Sequence, residues 1–381
     1  NTAAAQAAAA AFVKAYNDLN KNLTDLSSYN AATKKGAILQ GDATVLTLQS
    51  QLRGALTSAL TGLSGSLTTL SQIGVSIQKD GTLALDSAKL ATASANNFND
   101  IAALFAVVGK PTDSLVSFVS STPNTKPGSY AVNVTNLATQ GNATGSAAAG
   151  LTITAGVNDQ LLVVLDGISA TVTLPAGTYT ASSLAAQVQS TINGTAAYSS
   201  AGAAVSVTQS AGVISITSNS YGSASGVSAT GNGTLNLLGG APTITAGVNA
   251  AGTINGAAAT GAGQFLTGAT GNAGEGLKIQ IAGGITGARG TLNFSKGHAY
   301  KLETLASSFL DSTGQVASRT DGISKTIKDI GNQRDALNRR LDETEKRYRA
   351  QFAALDTMIS SMNSTSNFLI QQLANLPKNN Q

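Results

Sequence analysis

The side chains that could do chemistry are few. His298 is the chain's one imidazole and cysteine is absent, which excludes thiolate nucleophiles, disulfides and His- or Cys-rich metal sites. His298 is followed two residues on by Tyr300, and nothing in the sequence positions it as a base, so it reads as a surface or hinge residue. Asp159 and Asp166 are the carboxylates that fall close together in the middle of the chain. They could serve as paired acids or hold one weak cation; turn or solvated aspartates are the plainer reading. Gly261-Ala262-Gly263 and Gly283-Gly284-Ile285-Thr286-Gly287 invite comparison with phosphate-binding loops. Neither carries the Lys-Ser/Thr of a P-loop, nor the strand-glycine-helix order with a following acid, so both read as turns. No catalytic, cofactor-binding or metal-ligating residue is assigned, and an enzyme is not expected.

Composition points the same way. A chain of 381 residues has room for two to three domains. Its net charge of +4 is small, and the distribution says more than the total. Between Asp113 and Ser295 there are seven charges: Asp113, Lys126, Asp159, Asp166, Glu275, Lys278 and Arg289. From Gly167 to Gly274 there are none. Nucleic-acid binding needs a basic patch, and this region cannot make one. No apolar run is long enough to span a bilayer. Gly, Ala, Ser, Thr and Asn dominate and Trp is absent, a composition that fits an extracellular structural protein. The chain begins with Asn1 rather than Met, so the native N-terminus is expected upstream.

The stretch that must organise everything else is Arg319–Leu376, which reads as one helix. Ile323, Ile327, Ile330, Leu337, Leu341, Tyr348, Phe352, Leu355, Ile359, Met362, Leu369, Leu373 and Leu376 recur at threes and fours. Arg334, Thr344 and Ser366 interrupt that seam. Two steps of four run together around Tyr348–Leu355, a stutter that locally unwinds a left-handed supercoil. Asp335/Arg339, Asp342/Lys346, Glu343/Arg347 and Glu345/Arg349 are spaced i,i+4 and mark a solvated face. Such a helix needs partners. Tyr348, Phe352, Leu355, Ile359, Met362, Phe368 and Leu369 are the expected contact surface for other subunits.

Residues 3–30 supply a first partner helix: an Ala run, then Phe12, Tyr16, Leu19, Leu23 and Leu26 at four, three, four, three, expected to lie antiparallel to the long one. Asp42 is placed to cap a second helix carrying Val45, Leu48, Leu52, Leu56 and Leu60. Ile73–Leu85 reads as a β-hairpin turning at Asp80-Gly81, and Asp86 as the cap of a short helix over Ser87–Ala95. From Pro111 short alternating runs separated by Gly, Asn and Ser argue antiparallel β structure, with one exception. Over Ser182–Ile192, Leu184, Val188 and Ile192 recur every four residues, as in a short helix. Thr152–Asn158 and Thr243–Asn249 are the same heptapeptide, either shared Thr/Gly bias or the mark of two related β-lobes.

Together these readings give an α+β multidomain protein. A helical leg over 1–110, with hairpin 73–85, resumes over 299–381 and ends in the long helix. Between them sits an inserted β-rich head over 111–298, with lobes 111–150 plus 241–298, and 151–240.

Several segments resemble, in order, the filament cap proteins of bacterial flagella, the hook-associated protein 2 family. They are Phe12-Val13-Lys14-Ala15-Tyr16-Asn17-Asp18-Leu19; Gly41-Asp42 with Leu52-Arg53; Ile73-Gly74-Val75; Asp80-Gly81-Thr82-Leu83; and Leu104-Phe105. Arg347-Tyr348-Arg349 with Gln351-Phe352, Met362-Asn363 and Gln371-Gln372-Leu373 close the set. In the head, Gly128–Val134 with Leu137-Ala138 is similar to the family's β-domain entry, and Ile192-Asn193 and Gly226–Ala229 resemble a short module shared among filament-associated proteins. The resemblance implies β-domains over a helical leg, a ring-shaped homo-oligomer at the distal filament end, and partnership with flagellin and hook–filament junction proteins. It implies export without a cleaved signal peptide, and a further N-terminal region before Asn1. Two other expectations stand beside it: an adhesin-like head that binds host glycan or mucin, and another axial protein such as a junction protein.

Overall fold

A computed structural model describes residues 2–375, so Leu376 and Pro377 lie outside the described residues. The chain is mixed α and β and divides into two units, Asn1–Thr304 and Leu305–Gln381. In the first unit α1 (Thr2–Ser27), a short hairpin of β1 (Tyr29–Asn30) and β2 (Lys35–Gly36), and α2 (Ala43–Thr57) come first. Then follow β3 (Val75–Ile77), β4 (Leu83–Leu85) and α3 (Ser87–Phe105).

The Ala-rich start of α1 favours helix, and Ala9, Val13, Tyr16 and Asn20 are its buried face. Leu19 and Leu26, on the stripe expected from sequence, are exposed instead. The reason is local: α1 turns toward α3 and β4, where Phe12 meets Phe105 edge-on at 5.2 Å. Asn17 clamps the hairpin from both sides. Its Nδ2 donates to the Leu83 carbonyl at 2.9 Å and its Oδ1 accepts from Leu83 N at 2.7 Å. Phe12, Tyr16 and Asn17 of α1 are therefore used inside this unit.

Asp42 caps α2 through Oδ1, which accepts from Thr44 N and Val45 N. The helix ends at Thr57, earlier than the periodicity suggests; Leu60 is buried beyond it and its N–H donates to Thr68 O. Gly62 then passes so close to the sheet that a Cβ would stand 1.9 Å from the Phe294 carbonyl oxygen. Asp80-Gly81 turns the β3–β4 hairpin, with Gly81 at φ 83. Asp86 caps α3, which runs past the expected Ala95 to Phe105 through a kink at Asn97.

Two β cores follow. Their strands are β5 (Val107–Pro111), β6 (Val116–Ser120), β7 (Gly128–Asn136), β8 (Asn142–Thr144), β9 (Thr152–Ile153), β10 (Gln160–Leu165), β11 (Ile168–Thr173) and β12 (Gly177–Thr178). Helices α4 (Ala181–Asn193) and α5 (Ala196–Ser199) precede β13 (Val205–Ser210), β14 (Val213–Ser218) and β15 (Val227–Thr230). After α6 (Thr234–Leu238) come β16 (Thr243–Thr245), β17 (Ala251–Ile254), β18 (Ala257–Ala262), β19 (Phe265–Gly268), β20 (Lys278–Ile281) and β21 (Gly287–Lys296). Pairing among the described strands is antiparallel.

One sheet has eight strands in the order β5-β21-β7-β17-β18-β19-β20-β6. Its buried face is built from Tyr130, Val132 and Val134 with Ile254, Leu266, Ile279, Leu292 and Phe294. The sheet curls until its end strands approach: a Cβ on Gly109 of β5 would meet the Phe118 ring of β6 at 2.5 Å. The second core lies between the sheets β13-β14-β8-β16 and β11-β10-β15, with the pair β12-β9 and the three small helices. Leu184, Val188 and Ile192 of α4 are fully buried there, and Thr180, rather than Ser182 or Ser183, caps that helix. Tyr198 is also fully buried and donates its hydroxyl to Val163 O at 2.7 Å.

The repeated heptapeptide does not mark two equivalent lobes. Both copies contribute strands around the second core: β9 pairs with β12 and buries Ile153, whereas β16 pairs with β8 and leaves Ile244 exposed. Helix α7 (His298–Leu310) begins in the first unit and ends in the second, and a turn capped by Asp311 then leads to α8 (Gln315–Ala374), the long helix.

Candidate functional site

The chemically capable residues are used structurally. His298 is not on the surface; it is fully buried, with Nδ1 2.8 Å from the Ala55 carbonyl. A carbonyl can only accept, so Nδ1 carries the proton and Nε2, which has no hydrogen-bond partner, is a bare acceptor. Burial pushes the imidazole pKa below its usual value, opposed by the Ala55 bond and helped by the Lys301 charge. Sequence could not foresee this, because the partner lies 243 positions away.

Asp159 and Asp166 stand at opposite ends of β10, about 20 Å apart along a strand of that length, so they cannot share a ligand. Asp166 adopts φ 52 in the β10–β11 turn; its carboxylate accepts from Ser218 Oγ at 2.9 Å and Gly226 N at 3.0 Å. Asp159 is buried rather than solvated, and its Oδ1 has no partner. The glycine loop 283–287 turns two of its carbonyls to an arginine. Arg289 Nη1 takes the carbonyls of Gly283 and Ile285, and its Nε reaches Asp113 Oδ2 at 2.5 Å. That contact holds the Asp113 carboxyl below its usual range.

The remaining candidate is α8. Sixty residues form it, and none of them is buried. Fractional exposures of Tyr348, Phe352, Leu355 and Ile359 are 53%, 66%, 49% and 48%; those of Met362, Phe368 and Leu369 are 64%, 57% and 54%. Threes and fours bring these side chains to one stripe, while Phe368 lies beside it. Of the four expected i,i+4 pairs, Glu345–Arg349 is formed at 2.7 Å, and Asp335 instead meets Arg334 at 3.9 Å. The Arg347 guanidinium stands 5.6 Å from the Tyr348 ring centroid. A face of this composition has no proton or electron chemistry to offer. What it can do is bury itself against another helix.

A sixty-residue helix with no buried residue, together with a region of antiparallel sheets, makes this a mixed α and β protein. The family model described as "Flagellar hook-associated protein 2 C-terminus" matches residues 1–364, and the chain belongs to that family. It is 41% identical over 68 residues to flagellar hook-associated protein 2 of Escherichia coli O157:H7, covering 18% of this chain and 15% of the relative. To that of Salmonella typhimurium it is 37% identical over 78 residues, 20% of this chain and 17% of the relative. Each alignment thus spans less than a fifth of the relative's length. The flagellar cap protein FliD D1-D2-D3 structure from Escherichia coli is 18% identical, covers 68% of this chain and 65% of that chain, and gives a TM-score of 0.36. Its D2-D3 structure is 21% identical, covers 51% and 100%, and gives 0.35. Membership rests on the family model and the sequence matches; superpositions this loose carry no residue-level argument.

Proposed function

We propose that this chain is the C-terminal portion of a flagellar filament cap, a non-enzymatic scaffold at the distal end of the filament. It assembles as a ring of identical subunits outside the cell, contacts flagellin and the hook–filament junction proteins, and promotes flagellin insertion and folding. The observation that carries the reading is the apolar stripe of α8, exposed along its whole described length. Apolar side chains in such a row are stabilised only when another surface covers them, by about 25 cal/mol per Å² removed from water. Tyr348, Phe352, Leu355, Ile359, Met362, Phe368 and Leu369 form that contact with other subunits. Domain limits follow the same division of labour: leg 1–110 and 299–381, head 111–298. A strain carrying Phe352→Asp with Leu355→Asp should export the protein yet fail to elongate filaments. Normal motility in that strain would refute the role of the stripe.

A further inference from the structure

A polar pocket of about 560 Å³ opens at one end of the eight-stranded sheet, between the turn 123–127 and the loop 271–275. Lys126, Asn124, Asn272, Glu275 and Lys296 line it. Its walls are tied together closely. Lys126 N donates to Ala273 O at 2.8 Å, Thr125 Oγ1 donates to Glu275 O at 2.6 Å, and the Tyr130 hydroxyl sits between the carbonyls of Lys126 and Ala273. Thr125 and Tyr130 are both buried. The pocket is therefore shaped before anything enters it, which spares a ligand the cost of ordering loops.

Lys296 is what makes the pocket unusual. Only 8% of the residue is exposed, and its ammonium group holds one hydrogen bond, to Pro123 O at 2.7 Å, beside the Tyr300 ring at 4.8 Å. Among the described residues no carboxylate pairs with it. Glu275, the acid of this pocket, is engaged elsewhere: Oε1 accepts from Asn124 Nδ2 at 2.8 Å and Oε2 from Gly271 N at 2.9 Å. A buried cation without a counter-ion is costly, and an ammonium has three donors to satisfy. Lys126, exposed at the rim, adds a second positive charge.

We propose that this pocket receives a carboxylate, with Lys296 as the buried anchor and Lys126 as the rim contact. Two lysines against one glutamate leave a single net positive charge. That balance suits a single carboxylate group, which brings one charge into the pocket even when further carboxylates lie elsewhere on the molecule, and disfavours phosphate or sulfate, whose two charges enter together and meet Glu275. The carboxylate could belong to a free small acid or to an acidic side chain of another polypeptide, and the test separates the two. The full chain is titrated calorimetrically with glutarate, with a hexaglutamate peptide and with sulfate. Glutarate should bind saturably and sulfate should not. Lys126→Met, a surface change that leaves the fold intact, should weaken glutarate about two- to fivefold. Lys296→Met, which keeps the packed stem, should weaken it by more than about tenfold. Hexaglutamate binding tighter than glutarate assigns the site to a polypeptide; the reverse order assigns it to a small acid, and either result supports the pocket. Absent glutarate binding, equal sulfate binding, or affinity unchanged in both lysine variants would overturn the proposal.

Discussion

The second β core and α8 use the same apolar alphabet with opposite results. Leu161, Leu165, Leu184, Ile192 and Ile214 are fully buried, whereas Leu355 and Ile359 are about half exposed. What differs is topology, not hydrophobicity. The head closes on itself because its strands meet pairs from the same chain. A single helix has no second side to fold against. The contrast separates residues that hold the molecule together from residues available to hold it to something else.

That separation can be broken at several points. The largest expected effect lies in the head: Leu161→Ala should cost about 2–5 kcal/mol in chemical denaturation, from lost burial plus the cavity. Tyr198→Phe should cost about 1 kcal/mol by the same measurement, because the Val163 carbonyl loses its donor inside the core. His298 should add a pH dependence. Its folded pKa is depressed, so on acidification the unfolded chain takes up the proton first. The contribution is complete above about pH 6.5, the unfolded value, and is lost as pH falls toward the folded value. Denaturation midpoints should fall across that window and flatten in His298→Gln. Smallest of all is Phe352→Ser, which should shift the stability of the isolated chain by less than about 0.5 kcal/mol. A large loss there would mean that α8 already has a partner within the chain.

The legible parts of the sequence were those governed by short-range chemistry. Asp42 and Asp86 accept from the first N–H groups of α2 and α3, Asp80-Gly81 turns a hairpin, and a four-residue period exposes α4. The strands β17 and β18 escaped notice because Ala-Gly-Thr and Ala-Ala-Ala-Thr-Gly-Ala runs carry almost no apolar alternation. Their place in the sheet is set by backbone pairing to β7 and β19. His298, Asp159 and Lys296 were illegible for a related reason: each is buried by segments far away in sequence, and no local pattern records that. The stripe on α8 could be read as far as Leu373, since the periodicity of a lone helix is all there is to it.

The absence of charge from Gly167 to Gly274 has a physical consequence. Interactions between exposed ions fade as salt shortens the Debye length, from about 30 Å at 0.01 M to about 3 Å at 1 M. A surface of hydroxyls and amides carries no such term, so contacts made by that part of the head should hold equally in dilute and saline water. Along α8, where cations and anions alternate beside the apolar stripe, association should instead vary with ionic strength. One chain thus presents a salt-blind surface and a salt-sensitive one.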